Sequence, residues 1–314
     1  MTLLLQYTLI FASVLMLVAL GGCFAERSGV INIGLEGIMV IGALGGALVM
    51  KFLPVSVGAP VMVITTVVVS ALFGLLFSLL LAVAAINFKA DQTITGTAMN
   101  MLATAGATVA VKAMNTAASG GNDVSSDIAY THSKDLFIVR MGEFEFNWFM
   151  LVAAICLVIS FVALYKTKFG LRLRACGEHP QAADSVGINV YKMRYAGVLI
   201  SGLLGGLGGI VYITAGVSVW KFENGVAGFG FLAMAVMIFG GWHPLKIALA
   251  SLLFGFFRAL GNVYSGFDFM LALNIPSVVY NMLPYIISLI VLAFTSKKSQ
   301  GPKASGVPYD KGTR

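Results

Sequence analysis

The 314-residue chain is 59% hydrophobic and only 11% charged, with a mean hydropathy of +0.93, far above what a soluble domain tolerates. Its net charge of +7 does not indicate nucleic acid, because no basic stripe with interleaved aromatics is present and basic residues collect in the inner loops of membrane proteins. Cys23, Cys156 and Cys176 stand too far apart to indicate a disulfide framework or a metal cluster.

Long continuous apolar runs, without the alternating ~10-residue segments of an outer-membrane barrel, predict an all-α polytopic membrane protein with about nine transmembrane helices, within a range of roughly 8–10. The first span, 3–22, ends in "VALGGC" at Cys23, which resembles a lipoprotein cleavage site. "MTLLLQYT" lacks the basic start of a signal peptide, so a retained helix is expected.

The second span, 30–50, lies within "ERSGVINIGLEGIMVIGALGGALVM", which begins at Glu26, and carries Asn32 and Glu36 one helical turn apart, on one face. A charge at the bilayer centre costs a few kcal/mol and usually faces a cavity or a partner. Glu36 lies about seven residues into its span. Three roles stay open for it: holding helix ends together through backbone N–H groups or Arg27, lining the inner end of a pathway, or touching substrate. The first is favoured, because the surrounding glycines bring backbones within reach.

The third span covers 57–86 and the fourth 93–113, where Asn100 follows Thr93, Thr95 and Thr97. Interhelical hydrogen bonding is the favoured role of Asn100 and cavity lining the alternative. A polar outer loop, 115–147, reads as a solvated connector. The fifth span is 148–165. The sixth, 195–217, holds "SGLLGGLGG", a glycine cluster like "IGALGGAL" near Gly42. Both predict tight helix packing, and their similarity hints at an internal repeat. The segment 228–240 is short for a span and could be a re-entrant or half helix. The last two spans are 245–263, which contains Arg258, and 277–294. The permease domain is thus 1–296, and the polar tail 297–314 is expected to be disordered.

With nine spans, Arg27, Lys89, Lys246, the basic residues of 166–194 and the tail residues Lys297, Lys298, Lys303, Lys311 and Arg314 fall on one side. Lys51, Lys112, Lys134, Arg140 and Lys221 fall on the other. The positive-inside rule then places the amino terminus outside and the carboxyl terminus in the cytoplasm.

The inner loop 166–194 holds "EHPQAADSVGI". Pro180 suits a first helical turn and Gly187 the position past a helix end, so 180–186 reads as a two-turn helix outside the membrane. Such a helix needs a neighbour. Ala182 and Ala183 offer little to lipid but permit close seating in a protein groove, so a partner protein is the better fit than lipid headgroups.

"ERSGVINIGLEGIMVIGA", "DQTITGTAMNMLA", "GLRLRACGEHPQAADSVGI" and "AVMIFGGWHP", in that order, resemble the permease subunits of ATP-binding-cassette importers for branched-chain amino acids, simple sugars and nucleosides. "GVINIGLEG" is most similar to the nucleoside permeases; sugar or branched-chain amino acid permeases of the same family are the alternative. The resemblance implies a coupling helix that docks on an ATPase, here carried by Glu178, Pro180, Ala182, Ala183, Asp184 and Gly187. It further implies a separate cytoplasmic ATPase that binds ATP and Mg, a second and unlike permease, an extracytoplasmic substrate-binding lipoprotein, and residence in a bacterial cytoplasmic membrane.

This chain itself has no G-x-x-x-x-G-K-[ST] loop, so it is read as a transport subunit and not an enzyme, without cofactor or metal of its own. His179 and His243, each beside a proline, are not read as catalytic. Phe229 and Phe231 qualify chemically for stacking on a base. From a different class, an ion-coupled secondary transporter would use Glu36 and Asp268.

Overall fold

The structure, a computed structural model, describes residues 2–142, 144–215, 218–267, 276–295 and 301–311. Asp268, Lys297, Lys298 and Arg314 lie outside the described residues. In chain order the helices are α1 (Thr2–Arg27), α2 (Leu35–Phe52), α3 (Ala59–Ala82), α4 (Gln92–Ala118), the single-turn α5 (Thr131–Lys134), α6 (Trp148–Lys166), α7 (Lys168–Glu178), α8 (Pro180–Ser185), α9 (Val190–Thr214), α10 (Phe229–Phe239), α11 (Pro244–Val263) and α12 (Ser277–Thr295). Among the described residues, seven helices are long and apolar enough to cross a membrane: α1, α2, α3, α4, α6, α9 and α11. The two remaining apolar segments form α10 and α12. With 11 residues, α10 rises only about 16 Å, half of a ~30 Å hydrocarbon core.

Four helix starts are fixed by the residue just before them. Asp91 accepts the N–H groups of Thr93 and Ile94, Asn147 that of Phe149, Thr167 that of Gly170 and Asn189 that of Lys192. By contrast, α2 and α10 begin after Gly34 and Gly228, which have no side chain to offer.

The core is built around α9, which packs on α1, α2 and α3, with α11 on the other side of α1. Glycines permit this. A methyl group added at Gly42 would strike the backbone of Gly206, and one at Gly74 the backbone of Gly202 and Gly206. The two glycine clusters thus pack against each other, so their spacing serves backbone approach.

The segment between α4 and α6 is more than a connector. β1 (Asp127–Ala129) and β2 (Ile138–Met141) precede β3 (Phe144–Asn147), and β4 (Val219–Lys221) follows α9; β1 pairs with β4 and β2 with β3, both antiparallel. Ile128, Tyr130 and Phe137 are buried beneath this cap, with Phe137 stacked on Phe149 at 5.1 Å. The polar composition concealed these few apolar anchors.

Of the polar tail, the structure describes residues 301–311. They lie against α7 and α9, with Pro302, Ala304 and Tyr309 buried. Three apolar side chains, one backbone hydrogen bond to Gly177 and one from the Arg194 side chain hold this segment.

Candidate functional site

The starts of α2 and α10, which follow glycines, are closed by side chains from other segments. Oδ1 of Asn100, on α4, accepts the Gly37 N–H at 2.8 Å, and its Nδ2 donates to the Ile33 carbonyl at 3.0 Å. Glu36, on the first turn of α2, accepts the Gly228 N–H through Oε1 and the Gly230 N–H through Oε2, each at 2.7 Å. A carboxylate at a helix N-terminus meets both the unpaired N–H groups and the positive end of the helix dipole. Asn32 is buried, with Nδ2 donating to Ser201 Oγ at 2.9 Å. Arg27 is not the partner of Glu36; it lies 3.6 Å from Glu178 and donates to the Trp242 carbonyl.

Closing the start of α10 fixes Phe229, its first residue. Phe229 is buried, 4.4 Å from the Tyr212 ring and 5.7 Å from that of Phe11. The Arg258 guanidinium lies 5.6 Å from the Phe11 ring and 5.5 Å from Phe229. Beside them a cavity of about 160 Å³ is lined by Phe11, Tyr212, Ala215, Trp220, Arg258 and Asn262. β4 holds Trp220 there, edge-on to Tyr212 at 5.5 Å. Phe231, the other aromatic singled out in the sequence, is 47% exposed and does not line this cavity. Phe11, Tyr212 and Trp220 escaped the sequence reading because they come from separate segments. Arg258 carried a usable signal, a charge inside an apolar span.

The opposite end of α9 leads to α7 and α8. Among the candidate coupling residues, Pro180 and Ala183 face inward, Ala183 packing with Cys176, Val190 and Tyr309. Gln181, Ala182, Ser185 and Val186 are exposed. Gly187 follows the helix at φ 84°, the left-handed conformation glycine adopts without cost, and its N–H donates to the Asp184 carbonyl. Glu178 is engaged by Arg27 and Asp184 by Lys311, at 3.9 Å. The proposed coupling residues therefore divide between an inner and an outer face. Burial pushes the Cys176 thiol up to about 11, with Arg194 opposing. Among the described residues, no group of three or more His, Cys, Asp or Glu could hold a metal ion.

A family model described as the permease component of the branched-chain amino acid transport system matches residues 4–293. The chain belongs to this family of membrane permeases. It is 44% identical to the guanosine ABC transporter permease protein NupQ of Bacillus subtilis, over 98% of this chain and 96% of that one. It is 40% identical to the nucleoside ABC transporter permease protein NupC of Lactococcus lactis, over 96% and 95% of the two chains. A second Bacillus subtilis protein, the guanosine ABC transporter permease protein NupP, is 25% identical over 85% of this chain and 75% of its own. No solved structure matches the chain. The family makes the chain a multi-pass permease of the cytoplasmic membrane and a transport component, not an enzyme.

Proposed function

We propose that this chain is the permease subunit of an ATP-driven importer for nucleosides. The observation that carries the proposal is near-full-length similarity to a guanosine and a nucleoside permease. The cavity adds chemistry that suits such a substrate: aromatic faces for a base, with Arg258 and Asn262 able to hydrogen-bond base edges or ribose hydroxyls. It lies at the end of α9 away from the coupling loop, where an extracytoplasmic binding lipoprotein would deliver substrate. With substrate delivered at that end, the amino terminus would lie outside and the carboxyl terminus in the cytoplasm, as the distribution of basic residues also favours.

ATP and Mg would be bound by a separate ATPase docked at α8. Closure of two such ATPases would rock the helices in alternating access. Two unlike guanosine permeases in one organism, to which this chain is 44% and 25% identical, support pairing with an unlike second permease.

The test is uptake into vesicles holding this chain, its second permease, the ATPase and the binding protein. Uptake of nucleosides is expected to require ATP and to be unaffected by excess glucose or leucine. Nucleoside uptake by this chain alone, driven by an ion gradient, would establish the secondary-transporter alternative instead.

A further inference from the structure

With six residues, α8 is about 9 Å long, and its inward residues Pro180 and Ala183 are unavailable to a partner. A stable protein interface typically removes about 800 Å² from each side and engages roughly 20–30 residues. The exposed part of α8 cannot supply that. Neighbouring segments must enter the footprint, and the tail lies directly against α8.

Residues 301–311 are held at several points. The Ala304 N–H donates to the Gly177 carbonyl at 2.8 Å, and Arg194 Nη1 donates to the Val307 carbonyl at 2.9 Å. Tyr309, 4% exposed, sits with Cys176, Ala183 and Val190, its ring 5.4 Å from Tyr191. Lys89 Nζ donates to Asp310 Oδ2 at 2.7 Å, and Lys311 reaches Asp184 on α8 itself. The other side of the tail is uncovered: Lys303, Val307, Pro308 and Lys311 are exposed, Val307 at 55%.

We propose that residues 301–311 form part of the ATPase-docking surface, with Tyr309 seating α8 from within and Lys303, Val307, Pro308 and Lys311 meeting the ATPase beside it. This rests on the proposed docking of the ATPase at α8. Lys303 and Lys311 are exposed on the tail, and Arg172 and Lys192 are exposed on α7 and α9, the helices it lies against, so the ATPase face that fits is apolar toward Val307 and rich in carboxylates. Tyr309 is a positioning residue. Val307 is a contact residue.

The experiment uses the full permease pair in nanodiscs, titrated with the purified ATPase. A photo-reactive residue at position 307 is expected to cross-link to the ATPase. Val307→Glu, a change at an exposed site, is expected to raise Kd about tenfold. Tyr309→Ala should raise Kd and accelerate hydrogen exchange across 180–188, with Tyr309→Phe restoring both.

Absence of any cross-link from 303, 307 and 311, with wild-type Kd in Val307→Glu, overturns the tail proposal while docking at α8 stands. Ala182→Trp is the control. If it leaves ATPase binding intact, or the wild-type chain binds no ATPase, the docking of α8 falls and the tail proposal falls with it.

Discussion

Glu36→Gln tests the role of the carboxylate with little change in shape. The side chain keeps one acceptor oxygen but turns an amide NH₂ toward either the Gly228 or the Gly230 N–H, so one of two 2.7 Å bonds becomes a contact between donors. A hydrogen bond to a charged group contributes about 1.5–3 kcal/mol, and the favourable meeting of a negative charge with the helix N-terminus adds about 0.3–1 kcal/mol. Losing one bond and the charge together should therefore weaken the closure of α10 by roughly 2–4 kcal/mol. Each 1.4 kcal/mol is tenfold in an equilibrium, so amide exchange in 228–232 should accelerate by at least about 30-fold and up to several hundred-fold. Hydrogen-exchange mass spectrometry on the permease pair in nanodiscs reads this directly, with the glycine-packed α2 and α9 contact as an internal reference that should not move. Because α10 positions Phe229, nucleoside uptake should fall in parallel. Wild-type protection of 228–232 in Glu36→Gln would refute the assignment of Glu36 as the closing group of α10.

Trp220→Ala should raise the KM for nucleoside uptake about tenfold, since stacking of a base on an aromatic ring contributes roughly 1–3 kcal/mol; an unchanged KM would remove Trp220 from the substrate path. Ala182→Trp should abolish ATPase co-purification without lowering Tm, because Ala182 is exposed, whereas Ala183→Trp should lower Tm as well by displacing Tyr309. Equal Tm losses in the two variants would contradict the division of α8 into faces. Cys176, raised to about 11 by burial, is mostly protonated at pH 8, and the thiolate is the reactive form. Its maleimide labelling, in a background lacking Cys23 and Cys156, should keep rising between pH 8 and 10 instead of levelling near pH 9. Removing the Tyr309 ring should speed it; identical rates in wild type and Tyr309→Ala would show that the tail does not cover this thiol.

The membrane made much of the fold legible. Lipid forces backbone groups to pair within each span, so apolar length alone located the helices, and the glycine spacing located their closest packing. The sequence also marked Glu36 and Asn100 as anomalies. It could not name their partners, because the acceptors complete helices that begin about 190 and 60 residues away in the chain, after glycines with nothing to offer.

The cavity was illegible for a similar reason: α1, α9, β4 and α11 each contribute one or two of its side chains. At α8, periodicity has no power over six residues, so Ala182 and Ala183 looked equivalent until Tyr309 was seen to occupy one side. For the tail, average composition carries no information on where individual apolar residues such as Pro302, Ala304 and Tyr309 sit.

The cavity and the coupling loop are bridged by two elements that touch at both ends. α1 contributes Phe11 to the cavity, and its last residue, Arg27, faces Glu178 and the Trp242 carbonyl. α10 begins at the Glu36 closure and ends just before Gly241 and Trp242, both at positive φ, 58° and 53°. Trp242 Nε1 donates to Glu26 Oε2 at 2.6 Å, which ties the far end of α10 to the far end of α1. A displacement of α7 by a docked ATPase would therefore reach both elements through one junction. Contact alone does not establish energetic coupling. Trp242→Phe supplies the test, because it removes the Nε1–H bond and leaves an aromatic ring. ATPase binding should persist, since α7 and α8 are untouched, while more ATP should be hydrolysed per nucleoside imported. A wild-type ratio of ATP to nucleoside in Trp242→Phe would mean that the Glu26–Trp242 bond is structural and that coupling runs through other contacts.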